Sequence, residues 1–256
     1  MVSGPAITVR QTLTTYYGYL KMTRINRMEN EFKIIGFDAD DTLWINEPLF
    51  RGSEMHFCKI LQPYLQEDET MKELFKTEMQ NLELYGYGIK GFVLSMIETA
   101  LRVSDNRVTT GEIYKIIGLG KSMLNEPVVL LEDVEFVLDQ LKKKYKLILA
   151  TKGDLLDQER KLRKSGLLNY FHHIEIMSDK HEYNYKKLIN HLDIEPHEFL
   201  MIGNSVKSDI LPVLKIGAKA IHIPFEITWQ HEKMHEDHGE GEFITVDRLS
   251  DVLNIL

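Results

Sequence analysis

The chain has 256 residues, 43% apolar and 27% charged, with 31 Lys and Arg against 39 Asp and Glu for a formal net charge of −8. That profile excludes a disordered or fibrous chain, and the acidic balance argues against nucleic acid as a partner, because a phosphate backbone rewards a basic surface. No apolar run approaches the roughly 18 residues that a membrane-spanning helix needs, so no membrane association is expected. The lone Cys58 excludes an internal disulfide or a cysteine-built zinc site and points to a reducing, cytoplasmic setting.

Residues 1–28 carry Arg10, Lys21, Arg24 and Arg27, no acid and no clear periodicity. They lack the uninterrupted apolar stretch of a signal peptide and read as a disordered extension. A transit peptide fits them loosely, and Met22 and Met28 are alternative starts.

From Phe32 onward short apolar runs alternate with longer amphipathic ones. Phe32–Phe37, Lys146–Ala150, His173–Met177, Phe199–Ile202 and Ala218–Ile223 are predicted as strands, each mostly continuous in apolar character, as strands covered on both faces are. Val134–Tyr145, Leu155–Ser165, Asn184–Leu192 and Ser208–Ile216 have helical spacing, with Gly166 and Gly217 as stops. The alternation predicts an α/β fold, a Rossmann-like parallel sheet with helices on both faces.

One interval interrupts it. Pro48–Gln62, Glu69–Leu84, Lys90–Val103 and Thr109–Met123 are all helix-like, with no strand among them. A crossover between parallel strands usually needs one helix, so this block is expected to be an inserted helical domain at 50–127 on a core of 29–49 and 128–256. Glu47, Arg51, His56, Tyr85, Tyr87 and Lys90 are candidates for the entrance it would form. Tyr85-Gly86-Tyr87-Gly88 reads as a turn with packed rings, and Met55, Met71, Met79 and Met96 as helix-packing residues. Trp229, His231, His235 and His238 have a spacing that suggests a metal site, but the intervening acids make a polar surface segment the better reading, with Trp229 against the core rim.

The chemistry concentrates at predicted strand ends, where open parallel sheets bind ligands. Asp38 and Asp40 follow the first strand, two apart, so both carboxylates can point to one side. Two ionised carboxylates there would repel unless a cation separates them or one is protonated, which suggests an ionised Asp38 beside a metal and a protonated, donating Asp40. Asp41 and Thr42 suit helix capping. Thr151 ends the second strand, either donating into the crevice or capping the next helix. Lys180 follows the third strand. Asn204 and Asp209 follow the fourth and offer the oxygen ligands that Mg²⁺ accepts. Together these groups describe a phosphate and magnesium site.

With these residues in order, the chain resembles the haloacid dehalogenase superfamily over roughly residues 32–224. DxDxT is matched by Asp38, Asp40 and Thr42, the strand-end Thr by Thr151, and the third-motif Lys by Lys180, preferred over Lys186 and Lys187. Asn204 departs from the acidic residue usual after the fourth-motif Gly. The resemblance implies an alpha-helical cap and hydrolysis of a small phosphorylated metabolite, with Asp38 as nucleophile and Asp40 as general acid and base. It further implies Thr151, Lys152 and Lys180 on the phosphoryl group, and Mg²⁺ held by Asp38, the backbone carbonyl of Asp40, Asp209 and Asn204, directly or through a coordinated water at Asn204. A monomer or weak homo-oligomer is expected. A phosphomutase, a catalytically silent binding module and a phospho-accepting regulatory domain stay open as alternatives.

Overall fold

The structure is a computed structural model that describes residues 32–232 and 243–256. The extension at 1–28 and the residues His235 and His238 lie outside them. The five predicted strands form β1 (Ile34–Phe37), β2 (Lys146–Lys152), β3 (His173–Met177), β4 (Phe199–Gly203) and β5 (Lys219–His222), joined at one edge by the short β6 (Ile244–Thr245). The sheet order is β3-β2-β1-β4-β5-β6, and every neighbouring pair is parallel. β6 was not anticipated, because two residues are too few to show any period.

The period of two along each strand sends alternate side chains to opposite faces. Ile35, Phe37, Leu147, Leu149, Leu200 and Ile202 pack on one face with Val137 and Leu138 of α5 (Val134–Leu141) and with Val252 and Ile255 near the C-terminus. Ile34, Ile148, Ala150, Phe199 and Met201 pack on the other with Tyr185, Leu188 and Ile189 of α7 (Glu182–Leu192). The helix between them in sequence, α6 (Leu155–Ser165), ends at Gly166, whose φ of 76° is left-handed and thus costs least in a residue without Cβ.

The strand-free interval holds α1 (Glu47–Leu61), α2 (Glu67–Tyr85), α3 (Ile89–Val103) and α4 (Thr110–Asn125). These helices bury a cluster of their own, including Phe57, Leu61, Leu74, Phe92, Met96 and Ile116. Thr109 starts α4 with a capping box, exchanging hydrogen bonds with Glu112. Among the methionines read as packing residues, Met96 is fully buried, but Met55 is 43% exposed and faces solvent.

The predicted helix Ser208–Ile216 is a wide π-helical turn, Val206–Ile210, followed by the short α8 (Leu211–Lys215). Pro212 is the physical reason: it has no N–H to give to the Ser208 carbonyl. That carbonyl instead accepts the Tyr185 hydroxyl at 3.0 Å.

Ile202 is fully buried at the centre of the sheet. Ile202→Ala is expected to destabilise the fold by about 2–5 kcal/mol, read as a lower urea midpoint at unchanged slope.

Candidate active site

β1 is flanked by β2 and β4, with Phe37 in register with Leu149 and Ile202. Asp38 therefore leaves the sheet between two neighbouring strand ends, its N–H bonded to the Ile202 carbonyl at 2.9 Å. Asp38, Asp40, Thr151, Lys152, Lys180, Asn204 and Asp209 all line one cavity of about 170 Å³, so the fold brings together every residue that the sequence singled out for the site.

Lys180 is its centre. The side chain is buried, and Nζ donates to Asp38 Oδ1 at 2.5 Å and to Asp209 Oδ1 at 2.6 Å. Burial favours the neutral amine, but Asp209 and Asp38 outweigh it and hold the ammonium well above its ordinary range. Burial pushes the Asp38 carboxyl up to about 7, with Lys180 opposing and Asp209 reinforcing the shift. Lys186 and Lys187, the rival lysines, are exposed on α7.

Asp209 reaches this position because Gly203 leaves room: a Cβ there would lie 2.4 Å from the Asp209 Cγ. Ser205 N–H fixes the other carboxylate oxygen at 3.0 Å. Asn204 Oδ1 and Asp38 Oδ2 converge on the Thr42 hydroxyl, at 3.3 and 3.2 Å. One hydroxyl hydrogen serves one acceptor at a time, so this corner is rich in hard oxygen atoms. Among the described residues no group of three or more His, Cys, Asp or Glu is gathered around a point. Two carboxylates and an amide oxygen are nonetheless the kind of hard oxygen ligand that Mg²⁺ accepts.

Asp40 is ringed by hydrogen-bond donors. Its carboxylate accepts from Trp44 Nε1 at 2.6 Å, from Lys161 Nζ at 2.7 and 2.9 Å, and from Gln158 Nε2 at 3.1 Å. Asp41, by contrast, does cap: its oxygens accept the N–H groups of Asn46 and Glu47 at the start of α1, at 2.8 and 3.0 Å. Burial lifts its carboxyl to about 7 against those amides. Thr42 does not cap and joins the site.

Thr151 is not the cap of α6. Asp154 fills that role, accepting from Asp157 N–H at 3.1 Å, while the Thr151 hydroxyl accepts from Gln158 at 2.7 Å. Lys152 lies on the cavity wall, but its ammonium is engaged: it pairs with Glu232, donates to Ser208 Oγ at 2.9 Å and sits 4.4 Å from the Tyr87 ring centre. Of the entrance candidates, Glu47, Tyr85 and Tyr87 line the cavity. Arg51 pairs with Glu54 at 2.9 Å, Lys90 with Asp154 at 2.8 Å, and the exposed His56 bonds the Gly52 carbonyl. Tyr87 belongs to the expected turn, where Gly86 and Gly88 have φ of 69° and 105°. Trp229 is not on the core rim: it meets the Tyr87 ring at 6.0 Å and lines the cavity.

Lys161, Gln158 and Glu232 had no sequence signal. The first two lie on one face of α6, three apart, and only the fold directs them to Asp40.

A family model for haloacid dehalogenase-like hydrolases matches residues 32–217. The chain belongs to the haloacid dehalogenase-like hydrolase family. It is 28% identical over 202 residues to the N-acylneuraminate-9-phosphatase of Mus musculus, covering 73% of this chain and 80% of the relative. A haloacid dehalogenase-like family hydrolase from Xanthomonas campestris superimposes with a TM-score of 0.79 at 34% identity, over 90% of this chain and 94% of the other. The L-2-haloacid dehalogenase of Xanthobacter autotrophicus shares the fold, with a TM-score of 0.59 at 14% identity, over 86% and 96% of the two chains. Among the described residues no helix is long and apolar enough to cross a membrane.

Lys180→Met would leave two buried carboxylates facing each other. A loss of about 3–5 kcal/mol is expected, measured by chemical denaturation, whereas Lys186→Met on the exposed face of α7 should change stability by no more than about 0.5 kcal/mol.

Proposed function

We propose that the protein is a Mg²⁺-dependent phosphatase that hydrolyses a small phosphorylated metabolite through an aspartyl-phosphate on Asp38. One observation carries this reading: a second carboxylate, Asp40, stands beside Asp38 in the same cavity, oriented by Trp44, Gln158 and Lys161. Breaking a phosphate ester requires a proton for the departing alkoxide, whereas displacement of a halide does not. The similarity to N-acylneuraminate-9-phosphatases supports the same class of reaction.

In the first step an Asp38 oxygen bonds to phosphorus while the bond from phosphorus to the alcohol oxygen breaks, and Asp40 gives that oxygen a proton. In the second step Asp40 takes a proton from water as its oxygen attacks phosphorus, and the bond from Asp38 to phosphorus breaks to release phosphate. Asp40 must enter the first step protonated. Lys161 and Trp44 keep it aimed. Lys180 and Thr151 would bind the phosphoryl oxygens. Asp38, the Asp40 carbonyl, Asp209 and Asn204 would hold Mg²⁺, which when bound offsets negative charge on the phosphoryl group.

In this reading residues 50–127 form a cap domain that closes the cavity over a core of 29–49 and 128–256, and the enzyme works in the cytoplasm. The separate apolar cluster of α1–α4 supports that division.

Phosphate release from p-nitrophenyl phosphate and a panel of phosphorylated metabolites tests the function. Asp38→Asn is expected to abolish turnover with the fold retained by circular dichroism; wild-type activity in that variant would exclude Asp38 as nucleophile. Asp40→Asn should lower kcat by about 10²–10⁴-fold. EDTA should stop the reaction and added Mg²⁺ should restore it.

A further inference from the structure

The segment after β5 reaches the cavity from a third direction, belonging neither to a strand end nor to α1–α4. Ile227, Trp229 and Glu232 line the cavity wall. Trp229 meets the Tyr87 ring edge-on. Lys207 Nζ donates to the His231 carbonyl at 2.9 Å.

Glu232 ends this stretch and gathers three donors from two strand-end loops. Lys152 Nζ, from the end of β2, pairs with one oxygen. Ser205 Oγ and Ser208 Oγ, from the loop after β4, donate to the other, the second at 2.8 Å. Burial opposes ionisation of Glu232, but Lys152 and the two serine hydroxyls prevail and hold its carboxyl down at about 2. A buried charge costs free energy unless it is paired, so an apolar side chain would have filled this wall more simply. The pairing partners are also informative. Ser205 gives its N–H to Asp209, its hydroxyl accepts the Ser208 N–H at 3.1 Å, and Ser208 immediately precedes Asp209 in the chain.

We propose that Glu232 is a positioning residue of the hydrolysis: by holding Lys152, Ser205 and Ser208 it fixes the loop that presents Asn204 and Asp209 to the cavity. Through Trp229 and Tyr87 the same segment also touches the turn between α2 and α3. The inference rests on the phosphatase reading above.

Glu232→Ala and Glu232→Gln in the full-length protein test it, with circular dichroism as the check on folding. The steady-state readouts are kcat, KM for p-nitrophenyl phosphate and the Mg²⁺ concentration for half-activation. Mg²⁺ binding by calorimetry is the readout that needs no turnover. Glu232→Ala is expected to lower kcat and weaken Mg²⁺ binding each by about 10–100-fold, with KM moving less than about threefold, since the loss falls on the loop and not on ground-state contacts. Glu232→Gln can still accept from the serines, so it should retain part of both. Wild-type kcat and Mg²⁺ affinity in folded Glu232→Ala would overturn the proposal. If that variant does not fold, Glu232→Gln decides: a fall in kcat at steady KM supports positioning, and unchanged kcat overturns it. If the wild-type protein releases no phosphate, the phosphatase reading has failed, and the calorimetric comparison alone judges Glu232.

Discussion

A single buried ammonium, Lys180, stands between two buried carboxylates, Asp38 and Asp209. Each of the three groups would be costly alone in this position, because desolvation penalises an isolated charge. Together they hold three strand ends in fixed relation, since Asp38 follows β1, Lys180 follows β3 and Asp209 follows β4. The arrangement specifies geometry more than it adds stability, for a well-packed apolar set of the same volume often matches a buried ion pair. With two carboxyl groups to one ammonium, the cluster has acidic oxygen to spare for a further cation.

Around this centre the two aspartates of the first motif occupy opposite surroundings. Asp38 is desolvated and lifted to about 7, whereas Asp40 faces a lysine, an indole and an amide, all of them donors. Pairs of titratable groups with dissimilar surroundings are what separate roles require. The partition is reached by the fold: β1 ends deep between β2 and β4, and two residues later the chain has emerged beside α6.

The strand ends were legible because their signals are local. A continuous apolar run followed by Asp, Thr or Lys marks both a strand and the edge where ligands bind, and that pattern picked out Asp38, Thr151 and Lys180 directly. Supporting residues were illegible for the complementary reason. Lys161 is 121 residues from Asp40, and Glu232 is 80 from Lys152; on α6 or in a loop each looks like an ordinary surface charge. Local chemistry also misled in places. Asp41 and Thr42 share the same short turn and both suit capping, but only Asp41 reaches the amides of α1. The helix predicted from Ser208 ignored Pro212, whose missing N–H frees the Ser208 carbonyl for Tyr185.

The floor and the wall of the cavity carry different kinds of information. The floor comes from strand ends, whose positions a parallel sheet fixes within narrow limits, and the same sheet occurs in a haloacid dehalogenase that shares only 14% of the sequence. The fold therefore leaves the reaction undecided, and the side chains on the floor must decide it; Asp40 and its donors are the feature that favours phosphate chemistry. The wall is built by α1–α3, the Tyr85–Gly88 turn and the segment from Ile227 to Glu232. Those elements have no counterpart in the strand-end motifs and bring Glu47, Glu54 and Glu78 within the same cavity. In the proposed reading substrate choice falls to this wall, which no strand-end motif specifies. On that reading the chemistry and the substrate are set by separate parts of one cavity, and the loop held by Glu232 is where the two parts meet.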